Sequence, residues 1–218
     1  LIFLSNTVES KKVLVKTSGE FWLGFTGAHG IANGLDAVLD VAKIIKDKGH
    51  DHIKFVFVGD GNKKSELLDY AEKKELSNCI FLDQMPKPEL KHIYCQLDIG
   101  LMILKNNKTF QEGSSPNKFF DYVACGLPIL VNSPGWMSRV INHFRIGITV
   151  SPDSPHEFAS EILRVEKSRS LLNLMSENTL EARAAFDRKD IAESFVKILE
   201  SECDENYHKE TINRFSFL

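Results

Sequence analysis

The sequence predicts an α/β domain: a parallel sheet of about six strands with helices on both faces, followed by C-terminal helices. Three observations predict it. Apolar runs of strand length alternate with stretches of helical periodicity from residue 21 to residue 150. The connections between them are short. The apolar runs are near-continuous, as in Ile53-Lys-Phe-Val-Phe-Val58, which is the pattern of strands covered on both faces.

In order, residues 1–20 open with the apolar Leu1-Ile-Phe-Leu4, which reads as a strand running into a polar connector. Phe21 to Gly27 is a strand ending in glycine, and Ala28 to Gly34 a loop. Leu35, Val38, Leu39, Ala42 and Ile45 then share one helical face, and Gly49 ends that helix. The Ile53–Val58 strand stops at Gly59-Asp-Gly61, before a polar helix over about 63–75 with Asp60 as its capping acid. Cys79–Leu82, Asp98–Ile103, Leu127–Val131 and Gly147–Val150 complete the strands. Helices over Pro86–Gln96, Ser115–Gly126 and Trp136–Asn142 lie between them. Beyond Pro155 amphipathic spacing continues over Leu163–Glu181 and Ile191–Leu199. The chain therefore divides into a connector (1–20), the sheet domain (21–168), C-terminal helices (169–203) and a weakly ordered tail (204–218).

Composition narrows the function. Hydrophobic residues at 43% and charged residues at 26% suit a soluble globular domain. A net charge of −3 gives no support for nucleic acid or an anionic membrane as principal partner. Cys79, Cys95, Cys125 and Cys203 lack paired spacing and read as reduced, mostly buried thiols. No apolar run approaches the ~20 residues of a membrane span. The chain starts without methionine and reads as part of a longer protein.

Ligands of an open parallel sheet bind outside the carboxyl ends of its strands. Five loops fall there: Gly27–Gly34, Gly59–Gly61, Asp83–Met85, Glu112–Lys118 and Asn132–Gly135. They contain Gly27, Gly30, Gly34, Gly59, Gly61, Gly113 and Gly135 but a single histidine, His29, and no cysteine. Glycine-rich backbone without metal-ligand density points to a polar, phosphorylated ligand rather than a metal. The most informative of the five is Glu112-Gly-Ser-Ser-Pro-Asn-Lys118, which opens a helix with Ser115 as N-cap and Pro116 in its first position. Free backbone N–H groups at Ser114 and Ser115, a helix N-terminus and Lys118 in the first turn together suit a phosphate. Phe119, Phe120, Val123 and Ala124 form the apolar face of this helix, and Asn117, Lys118 and Asp121 the polar one, where Asp121 can accept from a diol. Trp22, Trp136 and the phenylalanines read as packing residues.

Thr26-Gly-Ala-His-Gly-Ile-Ala-Asn-Gly-Leu-Asp36, Phe57-Val-Gly-Asp-Gly61, Leu101–Leu104 and Ser115–Ile129 together resemble the C-terminal half of glycosyltransferase family 4, in particular its WbuB-like O-antigen and capsule amino-sugar transferases. The resemblance implies a Rossmann-like half of a GT-B fold that binds a nucleotide-sugar donor, expected to be UDP-linked. It implies retaining, metal-independent transfer without a further cofactor. It also implies a separate N-terminal acceptor domain, an undecaprenyl-diphosphate-linked saccharide as acceptor, and a cytoplasmic, membrane-peripheral location. The family's ribose-binding acid falls on Asp121. The acid eight positions before it falls on Gly113, with Glu112 one place off, so Glu112 is either a sugar contact or a solvated loop acid. Basic residues that clamp the diphosphate in many relatives correspond to Ala28 and Asn33, neither of which is basic. Lys118 is then the expected diphosphate partner and, with Glu112, the expected catalytic residue, assisted by His29. Gly27, Gly30, Asn33, Gly59, Gly61, Ser114, Ser115 and Asn117 are expected around the donor, with Gln84 and Met85 beside the base.

Other readings stay open at this level. A noncatalytic sugar-nucleotide-binding module and a GT-B-fold sugar-nucleotide epimerase share these features. A nicotinamide dehydrogenase fits poorly, because glycines at 27, 30 and 34 do not make G-x-G-x-x-G.

Overall fold

The computed structural model describes residues 2–4, 14–107 and 116–200. Seven strands form one parallel sheet: β1 (Ile2–Leu4), β2 (Phe21–Thr26), β3 (Ile53–Val58), β4 (Cys79–Leu82), β5 (Ile99–Met102), β6 (Ile129–Val131) and β7 (Gly147–Thr149). Their order is β1-β4-β3-β2-β5-β6-β7. The expected strands from residue 21 onward all form. The strand read at the start of the chain also forms, over Ile2–Leu4; the difference is that it joins the sheet at its edge beside β4, Ile2 opposite Ile80, making seven strands rather than about six.

Eight α-helices accompany the sheet among the described residues: α1 (Leu35–Asp47), α2 (Lys64–Lys73), α3 (Lys87–Tyr94), α4 (Asn117–Ala124), α5 (Trp136–Phe144), α6 (Pro155–Glu166), α7 (Arg169–Ala182) and α8 (Arg188–Glu200). The continuous spacing expected over 163–181 is broken at Lys167–Ser168, where the Ser168 hydroxyl accepts from Leu171 N (3.4 Å) and caps α7.

The side chains of β2 alternate between two cores. Phe21, Leu23 and Phe25 join the layer under α1, α2 and α6. Trp22 points into the opposite layer with residues of α3, α4 and α5. The glycines of β2 and β5 let the second layer close in. A Cβ on Gly100 would stand 2.7 Å from the Tyr122 ring, so glycine there lets α4 lie against the sheet. Tyr122 is wholly buried; its hydroxyl accepts from Thr26 N (3.2 Å) and donates toward Gly24 O (3.3 Å). α4 is thereby pinned over the junction of β2 and β5. Strand order reverses at that junction, which is where open α/β sheets bind their ligands.

The thiols differ from expectation. Cys79 is buried, whereas Cys95 and Cys125 are exposed, at the C-terminal ends of α3 and α4 where the apolar stripe has rotated away.

Candidate functional site

Backbone hydrogen bonds lace together the loops that follow β2 and β3. Gly27 N donates to Val58 O (2.9 Å), His29 N to Asp60 O (2.8 Å) and Lys63 N to His29 O (2.9 Å). Gly59 has φ +147°, and a Cβ on it would lie 1.9 Å from the Gly27 carbonyl oxygen. Only glycine lets the two loops meet. Beneath them the nearly buried Lys64 ammonium donates to Gly59 O (2.9 Å) and Asp83 Oδ1 (2.6 Å), and reaches Leu82 O at 3.5 Å. One cation therefore ties the carboxyl ends of β3 and β4 and fixes the loop that carries Gln84 and Met85. Above this floor lies a cavity of about 320 Å³ lined by Gly27, Ala28, Gly59, Asp60, Gln84, Met85 and Lys87.

The other wall comes from α4. Its N-cap is Pro116 in extended geometry (φ −73°, ψ 128°), and the helix begins at Asn117. The first-turn Lys118 folds back toward β2, its stem running beside Gly27. Its Nζ stands 3.7 Å from the centroid of the Phe25 ring and donates to Asn33 Oδ1 (3.1 Å). Asn33 in turn donates to the Ala28 carbonyl (2.7 Å). Among the described residues no carboxylate pairs with Lys118. Burial lowers its pKa from 10.5 to about 7, since desolvation penalises the ammonium.

The structure brings several of the expected site residues together. Gly27, Gly59, Gln84 and Met85 share the cavity. Lys118 and Asn33 are bonded at its β2 side, so Asn33 positions a cation where a basic residue was the family habit. No described contact joins Asp121 to Lys118. Its carboxylate accepts from Lys87 (3.1 and 3.4 Å), and it opens onto a wider hollow of about 840 Å³ with Phe120, Arg183 and Phe186. Lys87 borders both spaces. Asn117 is exposed at the start of α4. Gly61 packs against the His29 backbone, and Gly30 lines a separate hollow of about 250 Å³ with Lys63, Tyr70 and Lys105.

His29 requires a correction. Its side chain is not in the crevice but fully buried, between Phe25 and Phe81 with ring centroids at 6.0 and 6.4 Å. The backbone bonds to Asp60 and Lys63 turn the side chain inward. Neither ring nitrogen has a partner among the described residues. Burial first, and Lys64 second, lower its pKa from 6.5 to about 4, so it is neutral at pH 7. It cannot supply charge to a phosphate.

Asp60 does not cap α2 either; its carboxylate accepts from Gly61 N (2.7 Å). Glu112, Ser114 and Ser115 lie outside the described residues, but the expected capping is corrected, because Pro116 in extended geometry is itself the N-cap and not the first helical residue. Sequence reasoning missed Lys64 and Lys87. For Lys64 the signal was present, a lysine in the first turn after a glycine loop, the same pattern that singled out Lys118. For Lys87 there was none, because its partner lies 34 residues away.

No group of three or more His, Cys, Asp or Glu able to hold a metal occurs among the described residues. No helix among them is long and apolar enough to cross a membrane.

The glycine-walled crevice and the lysine of α4 lie at the switch point of a parallel sheet, where open α/β sheets bind their ligands. Comparison gives the family. Residues 6–182 match the model of the glycosyl transferases group 1, and the chain belongs to that family. No curated protein matches the sequence. Among solved structures, WaaG, a glycosyltransferase involved in lipopolysaccharide biosynthesis, is 15% identical with a TM-score of 0.69, over 85% of this chain and 48% of its own. HepE of Anabaena, solved in complex with UDP, is 16% identical with a TM-score of 0.70, over 84% of this chain and 49% of its own. The C-terminal domain of the group 1 family protein LpcC from Francisella tularensis is 16% identical with a TM-score of 0.63, over 76% and 85%. The chain thus spans about half the length of WaaG and HepE and has the fold of a Rossmann-like GT-B half.

Proposed function

We propose that this domain binds the donor of a retaining, GT4-type glycosyltransferase of the WbuB-like group. It takes a UDP-sugar, an N-acetylated amino sugar in this reading, for transfer to a lipid-linked or saccharide acceptor in surface-polysaccharide synthesis. The observation that carries the reading is the lysine of α4 folded over β2 beside a glycine-walled cavity, in a chain of the group 1 family. HepE's complex with UDP and WaaG's place in lipopolysaccharide synthesis support the donor and the pathway.

The chemistry follows from charge. As the glycosidic bond breaks, negative charge grows on the departing diphosphate while the sugar becomes oxocarbenium-like. A preorganised ammonium and backbone N–H donors near the phosphate stabilise that state more than the ground state. Gln84 and Met85 lie against the base, and Asp121, released from Lys87, accepts from the ribose hydroxyls. No metal is needed where fixed donors carry the phosphate charge. The acceptor, in this reading an undecaprenyl-diphosphate-linked saccharide at the inner face of the membrane, is held by an N-terminal domain of the whole enzyme.

Calorimetric titration with UDP and a panel of UDP-sugars, followed by product analysis with the whole enzyme, tests the reading. Saturable UDP binding and net sugar transfer are expected. An absence of UDP binding refutes the donor assignment, and an epimerised nucleotide sugar in place of a transfer product refutes the reaction.

A further inference from the structure

Tyr122 of α4 stands where two strands part. On its β3 side β2 is paired as far as Thr26, opposite Val58, but on its β5 side the pairing covers Leu23 and Gly24 alone, opposite Ile99 and Gly100. Beyond that point the Tyr122 hydroxyl takes the place of a ladder partner. It accepts from Thr26 N (3.2 Å), and its proton faces two carbonyls, Gly24 O of β2 at 3.3 Å and Leu101 O of β5 at 3.5 Å. The ring reaches this spot because Gly100 carries no Cβ, which would stand 2.7 Å from it.

Thr26 gathers a second tyrosine. Its Oγ1 lies 3.3 Å from the Tyr122 hydroxyl and 3.1 Å from the hydroxyl of Tyr94, at the end of α3. Each hydroxyl has one proton to give. With that of Tyr122 directed to a strand carbonyl, Thr26 donates to Tyr122 and Tyr94 donates to Thr26, and every proton of the group is shared. All three residues are buried, Tyr122 completely, so a partner removed here is not replaced by solvent. The two tyrosine rings also meet edge-on, with centroids 5.7 Å apart. Thr26 thus fixes β2, α3 and α4 to one another.

The residues on either side of Thr26 are ones that Lys118 meets. Lys118 lies one turn before Tyr122 on the same face of α4, its Nζ 3.7 Å from the Phe25 ring centroid and its stem beside Gly27. We propose that the Tyr122 hydroxyl is a positioning group for donor turnover. By holding Thr26 it sets how α4 sits against β2, and so fixes where Lys118 stands relative to the crevice. Tyr122 is sealed in the core and acts through Lys118, not on the donor. The inference rests on the donor-binding reading above.

A double-mutant cycle on the whole enzyme, read by steady-state kinetics, tests the role. Tyr122→Phe keeps the ring and removes the hydroxyl. Misplacing a reacting group by about 1 Å can cost on the order of 10²-fold, so kcat is expected to fall about tenfold or more. kcat/KM should fall in proportion, the mark of an interaction made in the transition state. In a Lys118→Ala background the same substitution should cost nothing further, because the group it positions is gone. A merely structural defect would lower turnover by the same factor in both backgrounds.

Should Tyr122→Phe fail to fold, Thr26 decides the question by the same criteria. Thr26→Val keeps the backbone N–H and removes Oγ1, whereas Thr26→Ser retains both. Turnover should fall in the valine variant by a smaller factor and stay near wild type in the serine variant. With Lys118 replaced by alanine, the valine substitution should have no effect. Full kcat in Tyr122→Phe, or an equal penalty with and without Lys118, overturns the positioning role and leaves the nucleotide site standing. Unimpaired turnover in Lys118→Ala, or failure of UDP to bind the wild type, overturns the underlying reading.

Discussion

Lys118 of α4 rests on Phe25 of β2, Nζ 3.7 Å from the ring centroid, and that contact joins the two halves of the sheet at the point where strand order reverses. If this ammonium meets the leaving diphosphate, Lys118→Ala should lower turnover of the whole enzyme at least tenfold, since removing one preorganised donor costs on the order of 10²–10³ in rate. Steady-state kinetics with the cognate donor checks this, and unimpaired turnover excludes the role.

The same burial predicts a stability effect of a particular sign. The folded pKa of Lys118, about 7, lies below its unfolded value of 10.5. Between those values the unfolded chain binds more protons, so stability rises with pH across that window. Lys118→Met should therefore melt higher than the wild type at pH 7, with the advantage shrinking toward pH 10. Thermal melts across that range decide it, and a lower melting temperature for the methionine variant at pH 7 contradicts the desolvation argument.

His29 makes a second, acid-side prediction. Its folded pKa of about 4 lies below the unfolded 6.5, so the protein should lose stability as pH falls from about 6.5 to 4. The shift corresponds to on the order of 3 kcal/mol for a ring with no exposure. In His29→Leu, which also removes two unpartnered buried nitrogens, that part of the acid sensitivity should vanish. Parallel acid titrations of the two proteins by circular dichroism would settle the point, and coincident curves would refute it.

Lys87 and Asp121 face each other at the boundary between two hollows. In the ribose reading, Asp121→Ala should weaken UDP binding more than it slows the chemical step. The deficit should disappear for 2′,3′-dideoxy-UDP, which has no diol to lose. Equal penalties for both ligands would remove the ribose role.

Gly59→Ala tests the floor itself. Its Cβ would meet the Gly27 carbonyl at 1.9 Å with φ near +147°, so the two loops must part. Backbone strain of this kind costs on the order of 1–3 kcal/mol before the clash is counted. A lower melting temperature and loss of UDP binding are expected together. Wild-type affinity in a stable variant would show that the laced loops do not shape the site.

Much of this architecture was legible in the chain. Near-continuous apolar runs such as Ile53–Val58, punctuated by glycine and separated by helical spacing, specify a doubly covered parallel sheet because local periodicity decides which side chains can be buried. The same local logic located Gly27, Gly59, Gln84, Met85 and Lys118 at the carboxyl ends of strands. The breaks within Leu163–Glu181 and at the start of α4 were less clear, since capping geometry alone decides them.

What the sequence by itself determined was the sheet, its helices and the loops that border the crevice. Tertiary structure alone decided which way the side chains turn and what they meet. His29 turns inward because its backbone is tied to Asp60 and Lys63. Lys64 closes the floor because β3 and β4, adjacent in the sheet, present their carbonyls together. Asp121 pairs with Lys87 and Lys118 with Asn33 across separations of 34 and 85 residues, through contacts that exist only once the sheet has assembled. Burial, charge state and long-range pairing are properties of the packed molecule, so no local pattern in the chain encodes them.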